Sequence, residues 1–303
     1  MGTSLNSRRA IGSLVGLAVG DALGTTLEFS ERDTQPLHTE LLGGGPFGLQ
    51  PGEWTDDTSM ALCLADSLLA NDGLDPKDAM DRYLRWWRNG ENSVSGRCVD
   101  IGITTQRALS RYERLRDPLC GDSHPESAGN GSLMRLAPIP IFYCRQRETA
   151  KEMAILQSRS THAAREAMEA CEYFTELLVE ALNGCTKDDV LQIRRWHGCP
   201  AIEDIAKGGW KHKTRNQIQS TGYVVQSLEA AVWCVYKANS FEEALVAAVN
   251  LGRDADTVGA ITGQLAGALW SYDSIPQRWL QALQWREHIE GLAEKLLVAQ
   301  QNG

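Results

Sequence analysis

Residues 55–68 read TDDTSMALCLADSL, a polar and doubly acidic start that passes directly into an apolar segment. Apolar or small residues lie at positions i, i+3, i+4, i+7 and i+8 of this segment, namely Met60, Cys63, Leu64, Ser67 and Leu68. Steps of three and four residues are the period of one face of an α-helix. The stretch therefore predicts a helix that begins near Met60, with Thr55-Asp56-Asp57-Thr58 directly before it.

The same spacing continues through most of the chain, including residues 79–87 and 167–178. Further helices are expected over about 149–158, 186–195, 224–238, 241–251, 257–270 and 276–298. Start signals stand at Asp75-Pro76, at Thr186 followed by Asp189, and at Ser274 before Pro276. The alternation of apolar and polar residues that is typical of β-strands is nearly absent. We therefore predict an all-α fold, a compact bundle of about a dozen helices whose polar loops gather at one site.

The chain has 303 residues and no Pro-rich, Gly/Ser-rich or charged linker, so we interpret residues 1–303 as a single domain. Residues 10–20 are apolar and follow Arg8-Arg9, as in a secretory signal, and glycines at 12, 16, 20 and 24 have the spacing of membrane helices. Asp21 interrupts this run well short of the roughly 20 residues that a membrane span needs. We expect a packed helix whose glycines allow close backbone approach.

Charge and cysteine content exclude several functional classes. A formal charge of −9 removes the broad attraction by which most nucleic-acid binders and anionic-membrane binders hold their partners, so neither partner is expected. The eight cysteines include no CxxC pair, which argues against a zinc site and a disulfide framework. Reduced thiols in a cytoplasmic protein are the plain interpretation.

Two acidic clusters stand directly before apolar helices, and each has two interpretations. Thr55-Asp56-Asp57-Thr58 is one, and Asp254-Ala255-Asp256-Thr257 is the other. Such residues are favoured at helix N-termini, where they accept hydrogen bonds from free N–H groups. Two clusters with paired carboxylates instead favour a bound cation, because neighbouring carboxylates repel each other.

The donors in both clusters are hard oxygens without His or Cys, which fits Mg²⁺ or Mn²⁺ rather than Zn²⁺ and leaves Ca²⁺ possible outside an EF-hand. Two ions about 3.5–4 Å apart are a common arrangement for orienting substrate oxygens. We predict two Mg²⁺ or Mn²⁺ ions. The predicted ligands are Thr55, Asp56, Asp57, Asp254, Asp256 and Thr257.

Five short motifs, taken in order, resemble the ADP-ribosylglycohydrolase family over residues 10–270. They are Gly20-Asp21-Ala22-Leu23-Gly24 with Glu28-Phe29, Thr55-Asp56-Asp57-Thr58, Gly129-Asn130-Gly131-Ser132-Leu133-Met134-Arg135, Thr161-His162, and Asp254-Ala255-Asp256-Thr257-Val258-Gly259-Ala260. Val99-Asp100-Ile101-Gly102 and Gly222-Tyr223-Val224-Val225 are further similar to the dinitrogenase reductase activating glycohydrolase branch, which removes ADP-ribose from arginine.

The resemblance implies a metal-dependent hydrolase that removes ADP-ribose from arginine side chains of modified proteins and releases free ADP-ribose. The same metal clusters would also serve a family member that acts on serine-linked, nucleic-acid-linked or free-ester ADP-ribose. A third alternative is a non-catalytic, ADP-ribose-binding or structural relative. The retention of every acidic ligand argues against that alternative.

The resemblance also implies roles for individual residues. The metal ligands would engage the hydroxyls of the distal ribose. Glu28 would approach the metals from the N-terminal helix, unless it is a surface residue, and Asp100 would lie near the scissile C1″–N bond, unless it is the N-cap of the helix through Ala108. Either carboxylate could be the catalytic one.

The remaining matches imply substrate contacts. The turn Gly129-Asn130-Gly131-Ser132 would present backbone N–H groups to the diphosphate, with Met134 beside it, although such a sequence is often only a turn. His162 would contact ADP-ribose, unless it is a structural histidine, and Tyr223 would pack on ribose or adenine, unless it is a core residue.

Three features limit or extend the match. Arg253 stands where the family often has glycine and brings a cation beside the metals, and Leu133 stands where a smaller residue is expected, which would narrow the phosphate turn. The basic run Lys207–Lys213 would contact a modified partner or be solvated.

Overall fold

The computed structural model describes residues 5–299, and this part of the chain forms α-helices without a β-strand. The helices are α1 (Leu5–Gly24), α2 (Asp56–Asn71), α3 (Pro76–Asn89), α4 (Ile103–Leu115), α5 (Pro138–Phe142), α6 (Arg147–Thr161), α7 (Arg165–Leu182), α8 (Lys187–Val190), α9 (Pro200–Ala206), α10 (Val224–Lys237), α11 (Phe241–Val249), α12 (Ala255–Trp270), α13 (Gln277–Ala282) and α14 (Arg286–Ala299). The prediction of an all-α fold is confirmed.

Three of the predicted helices differ from the observed ones. Helix α2 begins at Asp56 rather than near Met60, so Asp56 and Asp57 lie in its first turn and not before it. The capping box of Thr186 and Asp189 is present, but α8 ends at Val190 rather than near 195. There the Arg194 guanidinium donates to the Val190 carbonyl at 2.6 Å and pairs with Glu180 of α7, so the chain turns back toward α7.

The predicted helix over 276–298 is divided into α13 and α14. The chain leaves the helix at Leu283, and Trp285 has a left-handed φ of 53° while its ring packs edge-on against Trp54. The N-cap of α13 is Pro276, whereas Ser274 closes a preceding 3₁₀ turn by donating to the Ser271 carbonyl. The predicted start signal at Ser274 is therefore wrong by two residues.

Helices α1 and α12 pack backbone to backbone along two matched rows of small residues. A β-carbon added at Gly12, Gly16, Gly20 or Gly24 would lie 2.4, 2.3, 2.1 or 2.3 Å from the carbonyl oxygens of Gly267, Gly263, Gly259 and Ala255, respectively. The opposite order of the partners shows that the helices are antiparallel. The expectation of a close-packed glycine helix is confirmed.

One segment, Asn6–Leu27, is long and apolar enough to cross a membrane by length and composition, and 94% of its most apolar window is buried inside the protein. Core helices of soluble proteins commonly have this character. All eight cysteines are free.

Candidate active site

Seven carboxylates from four parts of the chain meet where α1 ends and where α2 and α12 begin. They are Asp21 and Glu28 at and after the end of α1, Asp56 and Asp57 in the first turn of α2, Asp100 before α4, and Asp254 and Asp256 at the start of α12. The close antiparallel contact of α1 with α12 places the C-terminal end of one helix beside the N-terminal end of the other. The two acidic clusters of the sequence therefore belong to one site.

Two groups of three carboxylates are close enough to share a cation. Oxygens of Asp21, Asp57 and Asp256 lie within 4.8 Å of one another, and so do oxygens of Glu28, Asp100 and Asp256. Asp256 belongs to both groups, so it lies between two neighbouring sets of oxygen donors. Each group could hold one divalent cation, so the two groups together could form a two-metal site.

Asp21 is a site residue that the sequence analysis did not select. Its carboxylate accepts four hydrogen bonds, from the backbone N–H and hydroxyl of Thr55 at 2.9 and 2.8 Å and from those of Thr58 at 3.0 and 2.6 Å. Asp21, on α1, thus provides the N-terminal hydrogen bonds of α2. The sequence marks Asp21 in one way, because it is the lone carboxylate in the apolar stretch of residues 10–24.

The capping interpretation of the acidic clusters does not account for their contacts. Neither Thr55 nor Asp254, the residues at the N-cap positions, makes a side-chain capping bond. The N–H of Ala255 is instead bonded by Glu28 at 2.9 Å. Oδ1 of Asp57 is buried and has no hydrogen-bond partner within residues 5–299, which leaves it available for a cation.

Burial and mutual repulsion keep these carboxyls from ionising freely. Desolvation first, and neighbouring carboxylates second, raise the pKa of Asp100 to about 9 and raise the pKa values of Asp56 and Asp57 well above their usual range. Desolvation also raises the pKa of Asp256 to about 7. Glu28 is 6% exposed, and burial beside Asp256 raises its pKa strongly. The interpretation of Glu28 as a surface residue is therefore wrong.

A divalent cation fits this donor set on chemical grounds. In the part of the chain that is described, no Lys, Arg or His nitrogen lies within 4 Å of any of the seven carboxylates. Buried charges are otherwise paired or bound to metal. All the donors are hard oxygens, which suit Mg²⁺ or Mn²⁺.

A cavity of about 690 Å³ opens over the carboxylates. Its walls include ten of the residues predicted for the site, namely Glu28, Asp56, Asp100, Asp254, Thr257, Gly129, Asn130, Gly131, Met134 and His162. This volume is in the range of cofactor and small-ligand sites. Thr55, Asp57 and Asp256 lie outside the lining and are buried, with the Thr55 hydroxyl 3.2 and 3.5 Å from the other two side chains.

Asp100 lines the cavity in an unusual backbone conformation. Its φ of 55° is left-handed, and α4 begins only at Ile103 with Gly102 as its N-cap. The interpretation of Asp100 as a helix N-cap is therefore wrong. The strained backbone instead holds a carboxyl at the site, as occurs where local strain serves a function.

The glycine turn is built differently from the expected phosphate loop. The N–H of Gly129 donates to the Ser127 carbonyl at 2.7 Å, and that of Asn130 donates to the Gly222 carbonyl at 3.1 Å. The next helix, α5, begins only at Pro138 and has five residues. Two of the four predicted amide donors are thus used within the protein.

Side chains of the turn point in two directions. Nδ2 of Asn130 donates to the Asp254 carboxylate at 2.7 Å and to the Ser227 hydroxyl at 2.9 Å, and so orients an acidic residue. The Ser132 hydroxyl pairs with Ser158 in the core, and Leu133 is fully buried there. The expectation that Leu133 narrows the phosphate turn is wrong, because its side chain faces away from the cavity.

His162 closes one side of the cavity at the end of α6 and precedes α7 by a short link. A β-carbon added at Gly131 would lie 2.8 Å from its Cε1, so the glycine leaves room for the ring. Burial, with Arg135 as a smaller cause, lowers the pKa of His162 to about 3 and keeps it neutral.

Tyr223 lies outside the acidic cavity, on an adjoining groove of about 630 Å³ that shares Thr104, Gly129 and Gly222 with it. It is 37% exposed, so it is not a core residue, and its hydroxyl donates to Glu166 at 2.7 Å. Arg253 does line the cavity, but its guanidinium pairs with Glu31 at 3.1 Å.

The basic run over residues 207–213 is largely paired within the protein. Lys207 pairs with Glu203 at 3.1 Å and Lys213 pairs with Glu229, while Trp210 is buried. None of its residues lines the acidic cavity.

Comparison with known proteins agrees with the resemblance found in the motifs. The family model for ADP-ribosylglycohydrolase matches residues 2–303. The ADP-ribosylarginine hydrolase Tri1 of Serratia proteamaculans is 45% identical over 95% of this chain and 78% of its own length. The ADP-ribosyl-[dinitrogen reductase] glycohydrolase of Rhodospirillum rubrum is 32% identical over 91% of this chain and 90% of its own.

A solved structure of an ADP-ribosylglycohydrolase-related protein complex is similar along nearly the whole length. It superposes with a TM-score of 0.87 at 46% identity, and the match covers 96% of this chain and 98% of that one.

Proposed function

The chain belongs to the ADP-ribosylglycohydrolase family, and from this membership we propose that it hydrolyses the bond between ADP-ribose and arginine on modified proteins. The observation that carries the proposal is the group of seven carboxylates, five of them buried and Asp100 and Asp254 half-buried, without a basic partner in residues 5–299, around a cavity large enough for a nucleotide. The near relatives named ADP-ribosylarginine hydrolase support the choice of arginine over another linkage.

In this proposal the carboxylates hold two Mg²⁺ or Mn²⁺ ions. The proposed ligands are those predicted from the two clusters, Thr55, Asp56, Asp57, Asp254, Asp256 and Thr257. Of these, Asp57 and Asp256 belong to groups of carboxylates close enough to share a cation. Asp21 is the third member of one group and also accepts the Thr55 hydroxyl at 2.8 Å. When bound, the ions would bind the hydroxyls of the distal ribose and stabilise the charge that develops on that sugar. Asn130 orients Asp254 for this task.

The protein's own carboxyls supply the proton transfers. Hydrolysis breaks the C1″–N bond, adds a water oxygen to C1″ and leaves a proton on the departing guanidine. A carboxyl that first gives its proton to the leaving nitrogen, and then as a carboxylate takes one from the attacking water, must be protonated near neutral pH and must reach the cavity. Asp100 and Glu28 meet both conditions, with raised pKa values and positions in the cavity wall.

The products are free ADP-ribose and the restored arginine side chain of the target protein. The net charge of −9 favours neither nucleic acid nor an anionic membrane as a partner. Eight free cysteines are typical of a reducing compartment, which supports a cytoplasmic location.

The test is to incubate the purified protein with arginine-, serine- and nucleic-acid-linked ADP-ribose, each with Mg²⁺, with Mn²⁺ and with EDTA, and to measure released ADP-ribose. Asp254→Asn is the inactive comparison, and Asp188→Asn, which changes an exposed carboxylate on α8, is the matched control. We expect metal-dependent release from the arginine linkage by the parent and by Asp188→Asn. Faster release from another linkage, or none from any, would overturn the proposal.

A further inference from the structure

We propose that Arg135 and Thr161 are positioning residues that hold His162 as the Nε2–H tautomer and direct that N–H into the cavity, where it donates to a phosphate oxygen of the bound nucleotide. The identity of the nucleotide rests on the proposed function. The orientation of the histidine does not.

Arg135 is a fully buried cation held by neutral groups. Its Nη2 donates to the Thr161 hydroxyl oxygen at 2.7 Å, its Nε donates to the Gln157 side-chain oxygen at 3.2 Å, and the guanidinium lies 4.5 Å from the centre of the Tyr83 ring. Throughout residues 5–299 no carboxylate lies within 4 Å of it. A guanidinium has donors and no acceptor, so the direction of each of these bonds is fixed.

The bond from Arg135 also fixes the direction of the hydrogen bond between Thr161 and His162. Because the Thr161 oxygen accepts from Arg135, its hydroxyl proton needs another acceptor. Nδ1 of His162 lies 2.8 Å from that oxygen, and the hydroxyl has no other acceptor in the described part of the chain. Nδ1 therefore accepts, and a neutral imidazole with an accepting Nδ1 carries its proton on Nε2.

The free N–H faces the glycine turn. Nε2 lies 3.3 and 3.1 Å from where β-carbons would stand on Gly129 and Gly131, and all three residues line the cavity. Within residues 5–299 the imidazole makes one hydrogen bond, that of Nδ1 with the Thr161 hydroxyl, so Nε2 has no partner there. Nε2–H is therefore available to donate to a ligand. Two backbone N–H groups of the neighbouring turn are not, because they donate to carbonyls of the protein.

The charge behind the ring favours an anionic acceptor. The rest of the cavity wall is rich in carboxylates, which repel a diphosphate, whereas Arg135 places a positive charge one hydroxyl away from the imidazole. A donor backed by that charge attracts a phosphate oxygen more strongly than it attracts a ribose hydroxyl. The buried arginine, which costs solvation energy, thereby has a role at the site.

The first measurement is the tautomer itself in the ligand-free protein, labelled with ¹⁵N-histidine. The chain has six histidines, and the His162→Asn spectrum assigns the signals of His162. We expect a protonated Nε2 and an unprotonated Nδ1. A protonated Nδ1, or an imidazolium near neutral pH, would overturn the proposed Arg135–Thr161–His162 arrangement, whatever the function of the protein.

The second measurement is the dissociation constant of ADP-ribose, by calorimetry with Mg²⁺ present, for three threonine variants. Thr161→Val keeps the size but removes the hydroxyl, and should weaken binding on the order of tenfold, the loss expected for one hydrogen bond to a charged group. Thr161→Ser restores the hydroxyl and should restore the affinity. Thr175→Val is the matched control, because the Thr175 hydroxyl is also buried but has no partner in the described chain.

The outcomes separate the two proposals. Equal weakening by Thr161→Val and Thr175→Val, or no weakening by either, would overturn the positioning role while ADP-ribose binding by the parent upholds the nucleotide site. A parent protein that shows the Nε2–H tautomer but does not bind ADP-ribose would refute the phosphate contact and the proposed function, and would leave the Arg135–Thr161–His162 geometry standing.

Discussion

A β-carbon placed on Gly20 would lie 2.1 Å from the carbonyl oxygen of Gly259, so the backbones of α1 and α12 touch at this point. The residue after Gly20 is Asp21, and Asp256 lies one turn before Gly259. The contact between two glycines therefore sets the separation of two carboxylates that share a candidate cation site.

We expect Gly20→Ala to lower the free energy of unfolding by about 1–3 kcal/mol, the usual cost of adding a methyl group to a tightly packed contact. The new methyl group would meet the backbone of Gly259 and Ala260 in α12, which cannot move out of the way as a flexible side chain would. Urea denaturation of the metal-free protein measures the change.

Gly291→Ala is the matched control for that substitution. Gly291 lies within α14, and a β-carbon added there would have nothing within 4 Å, so alanine should stabilise by about 0.5–1 kcal/mol. If Gly20→Ala were as stable as Gly291→Ala, the glycine contact would not set the helix separation.

The glycine row explains how far the fold is predictable from the sequence. Periodicity and the four-residue spacing of Gly12, Gly16, Gly20 and Gly24 predict a helix that packs closely, which the structure confirms. They do not identify the partner, because any helix with small residues would fit. The break between α13 and α14 is not visible in the periodicity, because it depends on Trp285 packing against Trp54, a contact between distant parts of the chain.

We predict that the metal-free protein loses stability as the pH rises from about 5 to about 9. The pKa of Asp256 is raised to about 7 and that of Asp100 to about 9, chiefly by burial. A carboxyl with a raised folded-state pKa contributes its full stabilisation below its unfolded pKa of about 4, and this contribution is lost as the pH rises from there to the folded-state pKa. Between its unfolded and its folded pKa, each such group lowers the free energy of unfolding by about 1.4 kcal/mol per pH unit.

Melting temperatures in EDTA across this pH range measure the effect. Added Mg²⁺ or Mn²⁺ should remove most of the decline, because the ionised carboxylates are the form that binds the cation. A metal-free protein whose melting temperature rises toward pH 9 would show that the carboxylates are already paired with positive charge.

We expect Asp57→Asn to abolish stabilisation by metal without lowering the stability of the metal-free protein. Burial and neighbouring carboxylates raise the pKa of Asp57 and so disfavour a charge there, and asparagine is neutral and keeps the shape of the buried side chain. At 100 times its dissociation constant, a metal ion stabilises the parent by about 2.7 kcal/mol. Thermal melting with and without Mn²⁺ measures this gain.

Asp188→Asn, on the exposed surface of α8, should keep the full gain. If Asp57→Asn instead lowered metal-free stability and left the response to Mn²⁺ unchanged, Asp57 would serve the start of α2 and not a cation.

The candidate site is only partly predictable, for reasons visible in individual residues. The paired aspartates stand out in the sequence because the spacing is local. Asp21 does not, since its role depends on four bonds to Thr55 and Thr58 across a gap of more than 30 residues. Tyr223, expected at the ligand, lies on the adjoining groove, and no sequence pattern distinguishes the two positions.

Asp100→Asn and Glu28→Gln will distinguish the catalytic carboxyl, and we expect Asp100→Asn to have the larger effect on kcat. Glu28 already accepts the N–H of Ala255 at 2.9 Å and is 6% exposed, as suits a residue that holds α12 in place. Asp100 is more open to the cavity and stands on a left-handed backbone. The loss of a positioned acid or base costs about 10²–10⁴-fold in rate.

Single-turnover rates on arginine-linked ADP-ribose, with ADP-ribose affinity measured in parallel, test this assignment. Asp100→Asn should slow the chemical step by that factor and leave ADP-ribose affinity within a few-fold of the parent, because the amide keeps the shape of the side chain. Glu28→Gln keeps an oxygen for the Ala255 N–H, so its effect on the rate should be smaller. A crippled Glu28→Gln beside a nearly normal Asp100→Asn would transfer the catalytic role to Glu28, whose raised pKa also lets it carry a proton.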